Sequence, residues 1–303
     1  MCATHDDETI EVRHVLIVAN PKAGGFSEST LAAIEAEFVR NFVNVETRRS
    51  AKRGDIRQTV AAIGGAFDVV AVHGGDGSIN EAVAGLRQIA GRRPALALIA
   101  GGTANVLALE TETGFASRRI AQDIMEGRTT PVHYGLANGQ PFLLMASAGL
   151  DAAIVHQIPG GLKAAFGKWA YIAGAIALKR RARTPDLLVT VAGRTLVCRI
   201  AICANASRYG GDFILAPETH ASLPGLQLVL VEDDSLLGLL RIGWCLLTGS
   251  RLEGAGVRTL EADEIEIAAV APTPTQLDGD PLGTTPLHVT IAHPPLRLIK
   301  AKR

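Results

Sequence analysis

Two glycine-rich turns carry the residues best suited to chemistry. The first reads His73-Gly74-Gly75-Asp76-Gly77-Ser78-Ile79-Asn80-Glu81, and the second Ala100-Gly101-Gly102-Thr103-Ala104-Asn105. Each follows an apolar, strand-like run (68–72 and 95–99) and precedes a helix-like stretch. Glycines let the backbone approach an anion, and N–H groups gathered where a strand turns into a helix bind phosphate. Asp76 does not favour bare phosphate, because like charges repel. It makes sense with Mg²⁺ between carboxylate and phosphate, or as the acceptor of a proton from an attacking hydroxyl. Two such turns with a carboxylate in the first point to a nucleotide polyphosphate and a metal ion. Asn80 and Glu81 can position ribose or a metal-bound water, with helix capping as the plain alternative. Thr103 and Asn105 offer hydroxyl and amide contacts to phosphate or base, against the same alternative. The Walker pattern and G-x-G-x-x-G are both absent, and Gly167-Lys168 is followed by Trp169.

The elements that must hold these turns alternate. Residues 14–19 read as a strand running into the turn Asn20-Pro21-Lys22-Ala23-Gly24-Gly25. Residues 29–40 carry Leu31, Ile34 and Phe38 at helical spacing. A strand over 43–47 and a helix over 55–63 follow. This order predicts a parallel sheet with helices on both faces and all three loops at the carboxyl ends of its strands, where ligands bind. Near Pro131 the pattern changes. A strand over 142–146 precedes Ser147-Ala148-Gly149-Leu150-Asp151, then comes a helical stretch over 162–181. Short apolar runs at 187–191, 196–203, 227–231, 265–269 and 288–291 predict a β-rich second domain. The expected boundaries are 1–130 for a nucleotide-binding α/β domain, with 294–303 returning to it, and 131–293 for the second domain.

Composition excludes several classes. The chain has 303 residues and is 48% hydrophobic, enough for two cores. Lys+Arg 30 balances Asp+Glu 30, and no basic stripe is present, so nucleic acid is not an expected partner. Cys2, Cys198, Cys203 and Cys245 have neither metal-ligand nor disulfide-framework spacing, which suits a reducing cytoplasm, with Cys198 and Cys203 as core thiols. The polar, acidic start is not a signal peptide. The most apolar stretch, 236–247, is shorter than the roughly 20 residues a spanning helix needs and contains Arg241. Its plain role is a buried helix. The functional alternative is membrane docking or an acyl-chain groove, with Trp244 at the interface.

Taken together, Asn20-Pro21…Gly24, Gly74-Gly75-Asp76-Gly77-Ser78-Ile79-Asn80-Glu81 and Gly102-Thr103-Ala104-Asn105 resemble the three signatures of the diacylglycerol kinase catalytic domain family. That family includes bacterial soluble lipid kinases and sphingosine kinases. The resemblance continues through Gly149-Leu150-Asp151-Ala152, the basic stretch Leu162-Lys163…Gly167-Lys168-Trp169-Ala170-Tyr171, Asn205 with Gly210-Gly211, Leu215-Ala216-Pro217, and Asp278-Gly279-Asp280. It implies a phosphofructokinase- or NAD-kinase-like nucleotide domain, a β-sandwich, and a reaction held in the cleft between them. It also implies an ATP- and Mg²⁺-dependent kinase acting on a lipid hydroxyl. By that resemblance Asn20, Pro21, Lys22, Gly74, Gly75, Asp76, Gly77, Ser78, Glu81, Gly102, Thr103, Asn105 and Lys168 bind ATP. Asp151 orients the acceptor, and Asp76 and Asp280 are catalytic, with Asp76 also a metal ligand. Asp280 stands where the family carries Glu as general base, one methylene longer. A hairpin turn is the alternative for Asp278-Gly279-Asp280, and a cap before Ala152 is that for Asp151. Pro224 stands where many bacterial members carry an aspartate tied to a structural Mg²⁺, and proline has no carboxylate, so that metal is not expected here.

The expected acceptor is diacylglycerol or a related glycerolipid. A sphingoid base or ceramide, or a soluble acceptor as in NAD kinase, is the alternative, and a non-catalytic lipid or nucleotide binder is a further one. The expected location is cytoplasmic, peripheral at the inner membrane face. Transient bilayer contact would come through Lys179-Arg180-Arg181 with Arg183 or through the stretch around Trp244. A homodimer is a further expectation.

Overall fold

The computed structural model describes residues 8–114, 116–157, 185–209, 213–250, 252 and 256–301. The chain divides into two compact units, Met1–Val132 with Pro294–Arg303, and His133–His293.

The first unit is built on a seven-stranded sheet. In chain order its elements are β1 (Glu8–Thr9), β2 (His14–Ala19), α1 (Glu28–Arg40), β3 (Asn44–Arg49), α2 (Asp55–Ile63), β4 (Val69–Gly74), α3 (Asp76–Leu86), β5 (Ala95–Ala100), α4 (Val106–Glu110), α5 (Ser117–Glu126) and β6 (Arg128–Val132). The last strand of the chain, Leu296–Ile299, completes the sheet between β6 and β5. β3, β2, β4 and β5 are parallel neighbours, in a register that sets Val15 beside Val69 and Val70 beside Leu96. Both faces are buried. Val15, Ile17, Val69, Ala71, Ala95 and Ala97 pack with α1 and α5, and the alternate residues Leu16, Val18, Val70 and Val72 are equally buried. Strands covered on both faces read as continuous apolar runs, so β2, β4 and β5 stand out in the sequence. Ser27 caps α1 by accepting the Thr30 N–H at 3.2 Å, and α5 stops at Gly127 in the left-handed region (φ +65°).

The second unit is a sandwich of two six-stranded antiparallel sheets. Its elements are β7 (Gly135–Ala137), β8 (Gln140–Phe142), β9 (Met145–Gly149), α6 (Leu150–Gln157), β10 (Leu187–Val191), β11 (Arg194–Cys198), β12 (Ile200–Ala204), β13 (Arg208–Tyr209), β14 (Phe213–Ile214), β15 (Leu226–Val231), α7 (Leu236–Thr248), β16 (Val257–Ala262), β17 (Glu264–Ala269), β18 (Pro274–Leu277), β19 (Asp280–Thr284) and β20 (Leu287–Ile291). One sheet runs β11-β10-β17-β20-β7-β8 and the other β16-β15-β12-β9-β18-β19. Leu187, Val189, Ile265, Ile267, Leu287 and Val289 of the first meet Ala146, Ala148, Ala201, Cys203, Leu228 and Leu230 of the second in one core. α6 and one side of α7 cover the outer face of the second sheet through Leu150, Ile154, Leu239, Ile242 and Leu246. The two-part α/β and β-sandwich fold is therefore the one expected from the sequence.

Two local expectations are corrected. The strand expected over 142–146 is two strands, β8 and β9, because the N–H groups of Leu143, Leu144 and Met145 turn to the Asp278 carboxylate. The run 196–203 likewise breaks at Arg199, where the chain leaves one sheet for the other and the Arg199 N–H bonds to the Val231 carbonyl at 2.8 Å. Cys198 and Cys203 are free, buried core thiols, and burial pushes Cys198 up to about 12 and Cys203 higher still. The helical stretch expected over 162–181, with Lys163, Lys168 and the basic residues Lys179, Arg180, Arg181 and Arg183, lies outside the described residues, as does Gly210-Gly211.

Candidate functional site

In the first unit the three loops meet at the carboxyl ends of β2, β4 and β5. The Gly25 N–H donates to the Gly101 carbonyl at 2.8 Å, the Gly101 N–H to the Gly74 carbonyl at 2.9 Å, and the Asn20 N–H to the His73 carbonyl at 2.8 Å. Asn20 adds a side-chain tie, giving Nδ2 to Ser78 Oγ at 3.0 Å and accepting the Lys22 N–H at 3.0 Å. The glycine turns touch directly: a Cβ on Gly102 would lie 2.4 Å from the Gly75 Cα. Only two glycines allow that approach. Asn105, at φ +48°, closes the second turn on itself, with Oδ1 2.7 Å from the Gly102 N–H and Nδ2 2.9 Å from the Gly102 carbonyl. Gly75 is the N-cap of the eleven-residue helix α3, its carbonyl accepting the Ser78 N–H at 2.9 Å and the Ile79 N–H at 3.1 Å, so the positive end of the helix lies at this loop cluster.

Asp76 does something its sequence position does not announce. Its Oδ2 accepts the Val106 N–H and its Oδ1 the Leu107 N–H, each at 3.1 Å. The carboxylate of the first turn thus caps the short helix after the second. Burial raises its proton affinity above the usual carboxylate range, and the N–H donors of Leu107 and Val106 offset only part of that. A carboxylate offers about four lone-pair sites, so these N–H groups leave room for a further ligand. Mg²⁺ needs few protein ligands when phosphates supply the rest, so Asp76 fits as a single carboxylate ligand beside a nucleotide.

The other expected nucleotide residues fall around this cluster. Ser78 is buried. Pro21 and Lys22 are exposed, and the Lys22 ammonium donates to the Ala51 carbonyl at 2.6 Å. Gly77 and Thr103 are exposed, and a Cβ on Gly24 would stand 3.0 Å from Thr103 Oγ1. Glu81 ties α3 to the start of α2, its Oε1 accepting the Gly54 N–H at 2.9 Å. His73 was missed by reasoning from residue type. It is fully buried, tilted against Phe26 with ring centroids 4.7 Å apart, and neither ring nitrogen has a hydrogen-bond partner among the described residues. Burial lowers its pKa, so the ring is held neutral. Its place immediately before Gly74 is the only signal the sequence offers.

The second unit holds the remaining carboxylates. Asp278 and Gly279 both have positive φ (48° and 84°) and form the two-residue turn joining β18 to β19. The Asp278 carboxylate accepts three backbone N–H groups, from Leu143 at 2.8 Å and from Leu144 and Met145 at 2.9 Å. Asn205 braces the same segment from the other side, donating to the Leu143 carbonyl at 2.7 Å and the His133 carbonyl at 2.9 Å. Asp280 opens β19 and is exposed. Asp151 sits in the first turn of α6, buried, and accepts from Ser147 Oγ and from Gln276 Nε2. Pro224 is exposed in the turn before β15.

Two family models match this chain. Residues 14–137 match the diacylglycerol kinase catalytic domain, and residues 145–300 match the YegS C-terminal NAD kinase beta sandwich-like domain. A diacylglycerol kinase of Bacillus subtilis is 25% identical over 284 residues, 91% of this chain and 92% of its own length. A Pectobacterium atrosepticum protein named "Probable lipid kinase YegS-like" is 29% identical over 277 residues, 88% of this chain and 89% of its own. A crystal structure of a diacylglycerol kinase from Bacillus anthracis has the same fold, with a TM-score of 0.74 at 20% identity over 96% of this chain and 98% of that one.

Proposed function

The chain belongs to the diacylglycerol kinase catalytic domain family and is a phosphotransferase with an alcohol acceptor, and from that premise we propose that it moves the γ-phosphate of ATP to the hydroxyl of diacylglycerol or a related glycerolipid. The observation that carries the nucleotide half is the meeting of three loops at the N-terminus of α3, with Gly75 against Gly102. In phosphoryl transfer the protein mainly positions groups and neutralises charge. Here backbone N–H groups of the glycine turns face the phosphates, and Asn20, Pro21, Lys22, Ser78, Glu81, Thr103 and Asn105 shape and brace the loops, with Lys168 as a further phosphate contact. Asp76 fixes one turn to the other through α4. A Mg²⁺ ion held by Asp76 and the phosphates would neutralise charge on the transferred group.

In the acceptor half, Asp151 orients the head group. The acceptor oxygen forms a bond to the γ-phosphorus as the bond from that phosphorus to the bridging oxygen of ADP breaks. The hydroxyl proton passes to a carboxylate. Asp280 suits that task because it is exposed, within reach of an arriving hydroxyl.

A lipid acceptor requires bilayer contact from a protein that works in the cytoplasm. No helix among the described residues is long and apolar enough to cross a membrane. α7 supports docking instead: Leu236, Leu237, Leu240 and Trp244 stay exposed on it, Trp244 by 67%, and it carries Arg241 and no acidic residue. The test is incubation of the pure protein with γ-labelled ATP and Mg²⁺ against diacylglycerol, sphingosine, ceramide and NAD, the lipids in mixed micelles. Label in phosphatidic acid is expected. Label confined to NAD or a sphingoid base would overturn the glycerolipid assignment.

A further inference from the structure

A buried polar chain in the second unit joins Asp151 to the turn that carries Asp280. Ser147, Asp151 and Gln276 come from β9, α6 and β18 and are 0%, 5% and 1% exposed. Ser147 Oγ donates to Asp151 Oδ2. Gln276 Nε2 lies 2.9 Å from Ser147 Oγ and 3.2 Å from Asp151 Oδ2, and donates to both. The other end of the same amide, Oε1, accepts the Gly279 N–H at 2.8 Å. A carboxamide can donate at one end and accept at the other while staying neutral, so one side chain spans from the carboxylate of α6 to the β18–β19 turn. Gly279 is the second residue of that turn and Asp280 follows it directly. The turn is therefore held on two sides, by Asp278 to residues 143–145 and by Gln276 to Asp151.

We propose that Gln276 is a positioning residue for phosphoryl transfer, its amide holding the Asp151 carboxylate and the Asp280 turn in fixed relation. The inference rests on the kinase reading above. Misplacement of a reacting group by even an ångström is costly in rate, and this amide links the Asp151 carboxylate to the turn that leads into Asp280. Few titratable groups face it. α6 brings Asp151 and His156, whose Nε2 stands 2.8 Å from the Thr275 carbonyl. The turn and β19 bring Asp278 and Asp280, and β9 brings none.

Two variants separate positioning from packing. Gln276→Met keeps the length and removes all three hydrogen bonds. Gln276→Glu keeps the shape: protonated, it still accepts from Gly279 and can donate its O–H to Asp151, whereas ionised it sets a second negative charge against Asp151. Turnover is measured with ATP, Mg²⁺ and diacylglycerol in mixed micelles across a pH series, and the Gly279 amide resonance is followed in the same proteins. The Met variant is expected to lose roughly tenfold or more in kcat at every pH, with KM for ATP within about twofold of the parent. The Glu variant is expected to approach parent turnover at the acid end and to lose it as pH rises, its Gly279 resonance moving over the same range. A Met variant within about twofold of parent kcat, or a Glu variant whose profile parallels the parent's with an unmoved Gly279 resonance, overturns the inference while leaving the kinase reading intact. A parent that phosphorylates no lipid overturns the kinase reading and this catalytic role with it.

Discussion

Replacing Asp76 with Asn tests whether its carboxylate serves chemistry or only the loop. Asn keeps one oxygen, so it can still accept one of the two N–H groups now bound, from Val106 or Leu107. The other then faces an NH₂ group. A hydrogen bond to a charged group is worth about 1.5–3 kcal/mol, and a neutral one about 1 kcal/mol. Against that loss stands the relief of an ionised group from a partly dry site, the larger of the two influences on Asp76 and the reason its pKa is raised. The two effects oppose each other, so the net change in stability near neutral pH is expected to stay within about 1–2 kcal/mol, small enough to leave the fold intact. Because the folded pKa lies above the unfolded one, the parent's contribution from Asp76 is fully present below the unfolded pKa and is lost as pH rises through the folded value. The parent's advantage over Asp76→Asn in urea unfolding should accordingly be larger at pH 4 than at pH 7. Phosphoryl transfer should fall at least about a hundredfold, or about 2.7 kcal/mol in the barrier, more than a loosened cap accounts for. Amide exchange at Val106 and Leu107 identifies the bond that is lost. Transfer at the parent rate would refute any role for Asp76 as base, metal ligand or clamp, and a stability difference that grows with pH would refute the assigned direction of its pKa.

The remaining expectations are more direct. Asp280→Asn should lower kcat by about 10²- to 10⁴-fold, the range of a lost general base, while ATP affinity, read by fluorescence titration, stays near the parent's; lost ATP affinity with kcat retained would make Asp280 a nucleotide residue. Gly102→Ala drives a Cβ to 2.4 Å from the Gly75 backbone, so thermal unfolding should show a loss of about 1–3 kcal/mol and KM for ATP should rise. Burial holds the folded pKa of His73 below its unfolded value, so its contribution is present above the unfolded pKa and is lost as pH falls toward the folded one; His73→Leu should flatten that acid limb in pH-dependent melting. Changing Leu237, Leu240 and Trp244 together to Ser alters only exposed side chains and should reduce sedimentation with anionic vesicles without changing the melting temperature; unchanged sedimentation would remove α7 as the docking face.

The α/β alternation of the first unit was readable because β2, β4 and β5 are buried on both faces and appear as unbroken apolar runs between helix-spaced stretches. The break between β8 and β9 was not readable. Phe142 to Ala146 is apolar throughout, and nothing local interrupts it. The interruption comes from Asp278, which takes the Leu143, Leu144 and Met145 N–H groups from more than a hundred residues away in the chain. The division of 196–203 has the same kind of cause: Arg199 sits where the chain passes from one sheet to the other, and that passage belongs to the packed sandwich. In the second unit, hydrophobic runs mark strands reliably, but where one strand stops depends on polar partners that only tertiary structure supplies.

The candidate site shows the same limit in sharper form. Glycine spacing marked where the backbone must come close, because that property belongs to the glycines themselves, and Gly75 does lie against Gly102. Carboxylates carry no such local meaning. An ionised Asp is a strong acceptor for backbone N–H groups as well as a metal ligand and a base, and Asp76 and Asp278 each spend their oxygens on N–H groups of a distant segment. Gln276 was invisible for the opposite reason. An uncharged amide in an apolar strand reads as an ordinary residue, yet it spans from Asp151 to Gly279. What separates an anchoring carboxylate from a reacting one is the set of donors already committed to it. By that measure Asp278 is an anchor, with three N–H groups on two oxygens. Asp76 is an anchor with lone pairs to spare. Asp280 is exposed at the start of β19 and directly follows the turn that Asp278 and Gln276 hold, so its proposed role as base depends on how firmly that turn is held.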